Sequence, residues 1–211
     1  LVFLSIPDSQ ISHLSNKISK LSLNFTAITF VHLSGSKNID ELNDLALKSA
    51  KTASLHIMNT FPRKNMVDLR SSYAAIETND TKTNSLLSEL AVNIGLKPFK
   101  IDSDAKTFYH LIGVFSSNFL VADFYNAEKC RSKLGDKTPS TASLTRGITR
   151  KTIENIESKG AANSISGPVE RGDVNTIRDH ISALRNEKVM LLNYLTSSLT
   201  LIQIKEEKER S

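Results

Sequence analysis

The pattern of hydrophobic residues changes once along this chain, at about residue 102, and that change limits the folds it can adopt. Before that point, short apolar runs typical of strands alternate with segments whose apolar residues recur at helical spacing. Strands are predicted at 1–6, 25–31, 54–58, 73–78 and 98–101, and helices at 10–21, 39–51 and 82–94. Strands that alternate with helices predict an open, parallel or mixed α/β sheet.

After residue 102 the sequence shows no further strand pattern. Helices are predicted at 103–134, 141–159, 174–184 and 187–205, followed by a frayed, solvated tail at 205–211. The predicted fold class is therefore α/β then all-α. The predicted domains are residues 1–102 and residues 103–211.

The first predicted strand, at 1–6, is a continuous apolar run that ends at Pro7 and Asp8. This pattern is typical of a strand that is buried on both faces. Asp8 or Ser9 is expected to cap the helix that follows. Because residue 1 falls inside this strand, we expect the chain to be a fragment.

Charge and cysteine content narrow the possible functions. The chain has 27 basic and 22 acidic residues, which gives a net charge of +5, and the basic residues are well mixed with the acidic ones along the sequence. This mild excess favours an anionic small ligand over nucleic acid as a partner. A single cysteine, Cys130, excludes an internal disulfide and fits a reducing compartment. With no metal-ligand spacing and no membrane-spanning run in the sequence, we expect a cytoplasmic protein without a metal or membrane partner.

A polar stripe runs along the helix predicted after residue 102. At about 100° per residue, Lys106, His110, Gly113 and Ser117 share one narrow strip, with Asn118 at its border. Apolar residues predicted to be buried flank the stripe on both sides: Phe108, Leu111, Ile112, Val114, Phe115, Phe119, Leu120 and Val121. The stripe indicates either a polar cleft or a set of hydrogen bonds to neighbouring helices, and both interpretations stay open.

Four segments carry a family resemblance. They are HLSGS at 32–36, SLHIMNTFP at 54–62, YHLIGVFSSNFLVA at 109–122 and SGPVERGD at 166–173. In this order they resemble the His-x-Ser-Gly, His-Pro-x-x-Thr-Phe, Tyr-His…Ser-Asn and Gly-Pro-x-x-Arg-Gly-Asp motifs of a Rossmann-like oxidoreductase family with a C-terminal domain of unknown function 2520. The chain resembles pyrroline-5-carboxylate reductases, ketopantoate reductases and 6-phosphogluconate dehydrogenase-like proteins more loosely.

The resemblance implies a truncated Rossmann-type sheet followed by a helical domain like the C-terminal domain of 6-phosphogluconate dehydrogenase. It implies an NAD(P)-dependent oxidoreductase that acts on a small anionic carbonyl or imine substrate and forms a homodimer through its helical domain. The Gly-x-Gly-x-x-Gly turn that holds a dinucleotide pyrophosphate is missing, because no two glycines are separated by one residue. We therefore expect this chain to carry an incomplete site for NADP or NAD.

A nicotinamide bound at the carboxyl ends of the strands, opposite the polar stripe, would give individual residues roles. His110 would be the proton donor, since imidazole titrates near neutral pH, and Lys106 would anchor a carboxylate or polarise an oxygen. Ser117 and Asn118 would hydrogen-bond the substrate. Residues at the carboxyl ends of two strands would bind the cofactor: Ser5, Pro7, Asp8, His32, Ser34 and Gly35. Residues assigned to the substrate or to supporting contacts are His56, Thr60 and Arg171.

Alternatives remain for several of these assignments. His32 and His56 also fit core histidines that hydrogen-bond the backbone. Arg171 also fits a residue that pairs with a neighbouring helix. For the whole chain, the alternative is a non-enzymatic scaffold or ligand-sensing dimer without a working dinucleotide site.

Overall fold

Among the described residues, five strands form one sheet, and their order in the sheet is their order along the chain. They are β1 Val2–Leu4, β2 Thr29–His32, β3 Lys51–Ile57, β4 Tyr73–Glu77 and β5 Lys97–Lys100. Neighbouring strands are parallel except for β3 and β4, which are antiparallel, with His56 opposite Ala75. The prediction of a mixed α/β sheet is confirmed.

The structure is a computed structural model that describes residues 1–61, 66–70 and 72–210. The chain divides into two units, Leu1–Val121 and Ala122–Ser211. The first unit holds the sheet with α1 Ile11–Ser19, α2 Asn43–Ala46, α3 Thr81–Asn93 and α4 Lys106–Gly113, whereas α5 Phe119–Ser132 crosses the division. The second unit holds α6 Thr141–Lys159, α7 Pro168–Arg171, α8 Val174–Leu184 and α9 Lys188–Arg210.

The hydrophobic core lies on both faces of the sheet. Successive residues of β2 point to opposite faces, so Phe30 packs with Leu42 and Leu45, whereas Val31 packs with Ile76 and Leu87. The first cluster includes residues of α1 and α2, and the second includes a residue of α3. Burying one such side chain stabilises the fold by about 1.5–3 kcal/mol, so the two layers hold the strand ends in place.

The division between the units falls later than the change in sequence pattern at residue 102. The last strand ends at Lys100, yet α4 belongs to the sheet-bearing unit. Tyr109 of α4 is buried with Ala75 and Ile101, and this contact ties the helix to the sheet. The polar stripe of α4 therefore lies beside the strand ends of the same unit.

Two predictions about the start of the chain are wrong. β1 is the edge strand of the described sheet and pairs only with β2, so Val2 and Phe3 remain 39% and 42% exposed. Neither Asp8 nor Ser9 caps α1, because a 3₁₀ turn, Asp8–Gln10, precedes that helix. The Asp8 carboxylate instead accepts hydrogen bonds from the Ser34 and Ser36 hydroxyls, at 2.7 and 3.0 Å.

The predicted helix at 39–51 is shorter in the structure. A 3₁₀ turn, Ile39–Leu42, leads into the four-residue α2, and the chain then turns at Ser49, whose φ is 66°. Lys51 already belongs to β3. Sequence periodicity did not detect this early stop because no proline or glycine marks it.

The predicted bounds of two helices in the second unit, α6 and α8, are confirmed. Local signals set them: Asp173 accepts a hydrogen bond from the Thr176 amide at 3.1 Å and so caps α8, as predicted. The prediction of a frayed tail is wrong, since α9 continues to Arg210. There the Arg210 guanidinium pairs with Glu206, one turn earlier in the same helix. No helix in the described ranges is long and apolar enough to cross a membrane.

Candidate functional site

Lys106, the first residue of α4, is buried beside the loop after β2, the middle of β3 and the end of β4. The residue is 1% exposed. The ammonium donates to the Ser34 carbonyl oxygen at 3.1 Å and to the Ser54 hydroxyl at 2.6 Å, and it lies 3.2 Å from Oε2 of Glu77. These three acceptors match its three hydrogens. Lys106 therefore has no hydrogen free to anchor a substrate carboxylate, and the geometry favours a positioning role.

Glu77, at the end of β4, is the partner that makes this burial possible. Its Oε1 accepts from the Ile39 amide at 3.1 Å and from the Ser103 hydroxyl at 2.6 Å, and its Oε2 accepts from Ser54 at 3.0 Å. Burial lowers the pKa of Lys106, and the charge of Glu77 opposes this effect. A buried charge pair is tolerated when its hydrogen bonds are complete, as they are here. The network joins the loop after β2, the middle of β3 and the end of β4 to the start of α4.

His32 is a structural histidine. The ring is fully buried, with Nε2 3.1 Å from the Asn38 carbonyl oxygen and Nδ1 accepting from the Ser34 amide at 3.2 Å. These partners select the neutral tautomer with the proton on Nε2. Burial, and then the positive charge of Lys106, lower the pKa of His32 to about 4. The cofactor-binding role assigned to His32 does not fit a ring without exposed surface.

The stability of the protein should fall as the pH is lowered from 6.5 to 4. In this window the unfolded chain binds a proton at His32 that the folded state does not bind, so protonation favours unfolding. The shift from 6.5 to about 4 corresponds to about 3 kcal/mol for this buried ring. Urea unfolding across this pH range should show the loss. His32→Gln should reduce the dependence to the part that His56, whose pKa is also lowered to about 4, contributes, and the exposed His13→Gln should leave it unchanged. Equal slopes in all three proteins would refute this assignment.

His56 lies in β3 and is held from two sides. Its Nδ1 is 3.0 Å from the Tyr109 hydroxyl, with the two rings edge to face at 5.5 Å. A Cβ atom added to Gly35 would lie 2.7–2.9 Å from three atoms of the imidazole, so only glycine permits this approach. Burial, then Lys106 and then His110, lower the pKa of His56 to about 4. Burial also raises the pKa of Tyr109 to about 12.

A polar cleft of about 290 Å³ lies between the end of β3 and the C-terminal end of α4. The α-helix continues there as a π-helical turn, Val114–Asn118, a feature found often at functional sites. The residues that line the cleft are His56, Met58, Asn59, Thr60, His110, Gly113, Val114, Ser116, Ser117 and Asn118. The structure thus brings together the predicted His110, Ser117, Asn118, His56 and Thr60, but Lys106 lies outside.

A second cavity, of about 330 Å³, lies at the carboxyl ends of β1, β2 and β3. Its lining residues are Ser5, Leu33, Leu55, His56, Ile57 and Phe61. A mostly apolar cavity of this kind fits the flat nicotinamide ring. No described loop at these strand ends offers the glycine-rich turn that a pyrophosphate needs.

The other predicted cofactor residues lie behind this cavity. Ser34 donates to Asp8, and its hydroxyl oxygen also accepts from the amides of Ser36 and Lys37 at 3.3 and 3.0 Å. These bonds shape the loop after β2 and place the Gly35 backbone against His56. Pro7 precedes the 3₁₀ turn that contains Asp8. In this structure these residues support the cavity and do not line it.

The apolar flank of the polar stripe was predicted to be buried, and that prediction is wrong. Phe108 is 74% exposed, and Ile112, Phe115 and Val121 are also exposed. The reason is that α4 covers the sheet with one face only, through Lys106 and residues such as Tyr109. The opposite side of α4, together with the π-helical turn and the first residue of α5, carries an exposed apolar surface, here called the α4 apolar face, of Phe108, Ile112, Phe115 and Phe119.

Arg171 lies in the helical unit, at the end of α7. The predicted loop shape is present there, since Gly167 and Gly172 have φ values of 91° and 69° and Pro168 begins the helix. The Arg171 side chain is exposed. Its assignment to the substrate stays a prediction.

Sequence reasoning missed several residues of this site. Glu77 and Ser54 complete the network around Lys106, and Asn59 lines the cleft. The sequence places Glu77 at the end of a predicted strand and Lys106 near the start of a predicted helix. No feature of the sequence indicates that these two residues contact each other.

Known proteins resemble the chain in sequence or fold. The model of the family described as "Domain of unknown function (DUF2520)" matches residues 72–199, more than half of the chain. BF3122 from Bacteroides fragilis, a candidate NADP oxidoreductase, is 21% identical, with a TM-score of 0.80 over 95% of this chain and 74% of that one. Protein TM1727 from Thermotoga maritima is 26% identical, with a TM-score of 0.75 over 99% of this chain and 79% of that one.

A more distant likeness links the fold to an enzyme with a bound dinucleotide. The Plasmodium falciparum pyrroline carboxylate reductase with NADP bound is 10% identical, with a TM-score of 0.58 over 96% of this chain and 79% of that one. No curated protein matches the chain in sequence. The structural likenesses confirm the predicted Rossmann-type sheet followed by helices.

Proposed function

This chain belongs to the DUF2520 family, as its motifs predicted, and we propose that it is a nicotinamide-dependent oxidoreductase for a small carbonyl or imine compound. The observation that carries the proposal is the meeting of two cavities at His56. One lies at the strand ends and is lined mostly by apolar residues, and the other is lined mostly by polar residues, including His110. Such a pair of neighbouring spaces suits a reaction between a planar cofactor ring and a polar substrate.

The cofactor would be held at its nicotinamide end by the apolar cavity, with Ser5 as the polar contact. When bound, the nicotinamide supplies or accepts the hydride. The proposal takes NADP as the cofactor because NADP is bound to the Plasmodium reductase of related fold.

The substrate would occupy the polar cleft. His110 would donate a proton to the carbonyl oxygen or imine nitrogen, and Ser117 and Asn118 would orient the substrate by hydrogen bonds. Thr60, on the opposite wall, would add a further contact. The net charge of +5 favours an anionic substrate. In that case hydroxyl and amide donors would meet its carboxylate, because the ammonium of Lys106 is fully engaged.

The proposal is tested by mixing the protein with NADPH and a panel of small 2-oxo acids, aldehydes and cyclic imines. We expect loss of dihydronicotinamide absorbance with at least one compound, and less activity with NADH. Absence of turnover across the panel, by a folded protein that leaves both cofactors unbound, would favour the non-enzymatic scaffold instead.

We also propose that two copies of the chain associate through the α4 apolar face, the surface of Phe108, Ile112, Phe115 and Phe119. Clustered exposed apolar side chains of this size mark interaction surfaces. Phe108→Asp should shift the protein from dimer to monomer in light scattering. Leu47→Asp, at an equally exposed leucine elsewhere, is the matched control and should leave the dimer intact. A wild-type monomer, or a dimer unaffected by Phe108→Asp, would contradict the proposal.

A further inference from the structure

His56 is the one residue that lines both the apolar cavity and the polar cleft among the described residues of the two linings. On the cleft side its ring faces His110, with 6.5 Å between the ring centroids. On the other side it shares the cavity with Ser5 and Leu33. A ligand in either space would meet this imidazole.

The orientation of the His56 ring is fixed by more than one contact. Tyr109 holds Nδ1, and Tyr109 is itself buried with Ala75 and packs edge to face on Phe99 at 5.8 Å. The bare backbone of Gly35 packs over the ring, where an added Cβ atom would come within 2.7–2.9 Å of Nε2, Cε1 and Cδ2. A side chain held this firmly loses little conformational freedom when it binds a ligand.

The second ring nitrogen of His56 is the group available to a ligand. Tyr109 occupies Nδ1, whereas no described residue hydrogen-bonds to Nε2. His32 provides the contrast within the same sheet: Asn38 and Ser34 occupy both of its ring nitrogens, and it lines neither cavity. Both histidines lie in or at the end of predicted strands, but of the two only His56 has a ring nitrogen without a described partner and lines a cavity.

We propose that the His56 ring contacts both the cofactor and the substrate, with Nε2 as the nitrogen that hydrogen-bonds one of them, and that Tyr109 and Gly35 are positioning residues that aim the ring. This inference rests on the proposed function and deepens it. The sequence assigned His56 to the substrate or to supporting contacts. The proposal assigns it direct contact at the point where the cofactor and the substrate would meet.

The test is an NMR titration with reduced nicotinamide mononucleotide, the part of the dinucleotide that the apolar cavity fits. Adenosine monophosphate, the other half, is the control ligand. We expect the Nε2 signal of His56 to shift with the nicotinamide compound, together with the backbone amides of Ser5 and Leu33. The signals of His13 and His180 should not move, because these rings lie outside both cavities.

The Tyr109 variant separates positioning from simple structural support. Tyr109→Phe removes the hydroxyl and should weaken nicotinamide mononucleotide binding about three- to tenfold, the effect of one hydrogen bond. The chain offers a matched control in the helical unit, where Nδ1 of His180 is 3.1 Å from the Tyr194 hydroxyl and the rings are again edge to face. Tyr194→Phe should leave binding unchanged and the His56 signals in place.

Two results would overturn the inference in different ways. If the amides of Ser5 and Leu33 shift while the His56 ring does not, the proposed function survives and the role of His56 is wrong. If no signal at the strand ends moves, the nicotinamide site itself is wrong. Equal loss of affinity in Tyr109→Phe and Tyr194→Phe would also refute the positioning role.

Discussion

Lys106→Met is expected to lower the free energy of unfolding by about 3–5 kcal/mol, because it leaves the buried carboxylate of Glu77 without its counter-charge. The pair is 2% and 3% exposed, so water cannot replace the lost partner. The variant also removes the hydrogen bonds that join α4 to Ser34 and Ser54. Urea unfolding followed by circular dichroism measures the change. Circular dichroism is used because the chain has no tryptophan whose fluorescence could report unfolding.

A double variant and a surface control make this prediction specific. Lys106→Met combined with Glu77→Gln removes both charges and should recover about 1–2 kcal/mol. Lys37→Met breaks an exposed ion pair in which Nζ of Lys37 lies 3.1 Å from Oε1 of Glu41. It should lower the free energy of unfolding by at most about 1 kcal/mol. If Lys106→Met costs no more than Lys37→Met, the buried network does not position α4.

His110→Gln should lower kcat by about 10²–10⁴-fold, the usual loss when a positioned proton donor is removed. The side chain is exposed and lines the polar cleft, so glutamine can occupy its place without disturbing the fold. Binding of NADPH should change much less, because His110 does not line the apolar cavity. Steady-state kinetics with the substrate found in the panel, together with cofactor binding, measure both effects.

The matched control is His13→Gln, at an exposed histidine of α1 that faces neither cavity. It should retain the wild-type kcat. Full turnover by His110→Gln would remove His110 from the proton-donor role and leave His56 as the imidazole of the cleft.

The parts of the fold that local sequence signals determine could be predicted. The ends of α6 and α8 are examples, since Ser140 and Asp173 cap their first turns and Gly160 follows α6 with a φ of 79°. The strands also followed from short apolar runs. A cap or an apolar run acts within a few residues, so its signal is present in the sequence itself.

The parts of the site that depend on distant partners could not be predicted. Lys106 and Glu77 are 29 residues apart, and their pairing depends on how α4 meets the strand ends. The π-helical turn Val114–Asn118 has no sequence rule, and it brings both Ser117 and Asn118 to the cleft. The close packing of Gly35 on His56 likewise arises from the neighbouring strands β2 and β3. Tertiary contacts of this kind decided which predicted residues became functional candidates.

The most direct test of the nicotinamide site is a titration of NADPH followed by backbone amide NMR. The proposed function predicts saturable shifts at the carboxyl ends of β1, β2 and β3, led by Ser5, Leu33 and Ile57, and none at Met190 in the helical unit. Shifts confined to the helical unit, or no shifts at millimolar NADPH, would contradict a nicotinamide site at these strand ends.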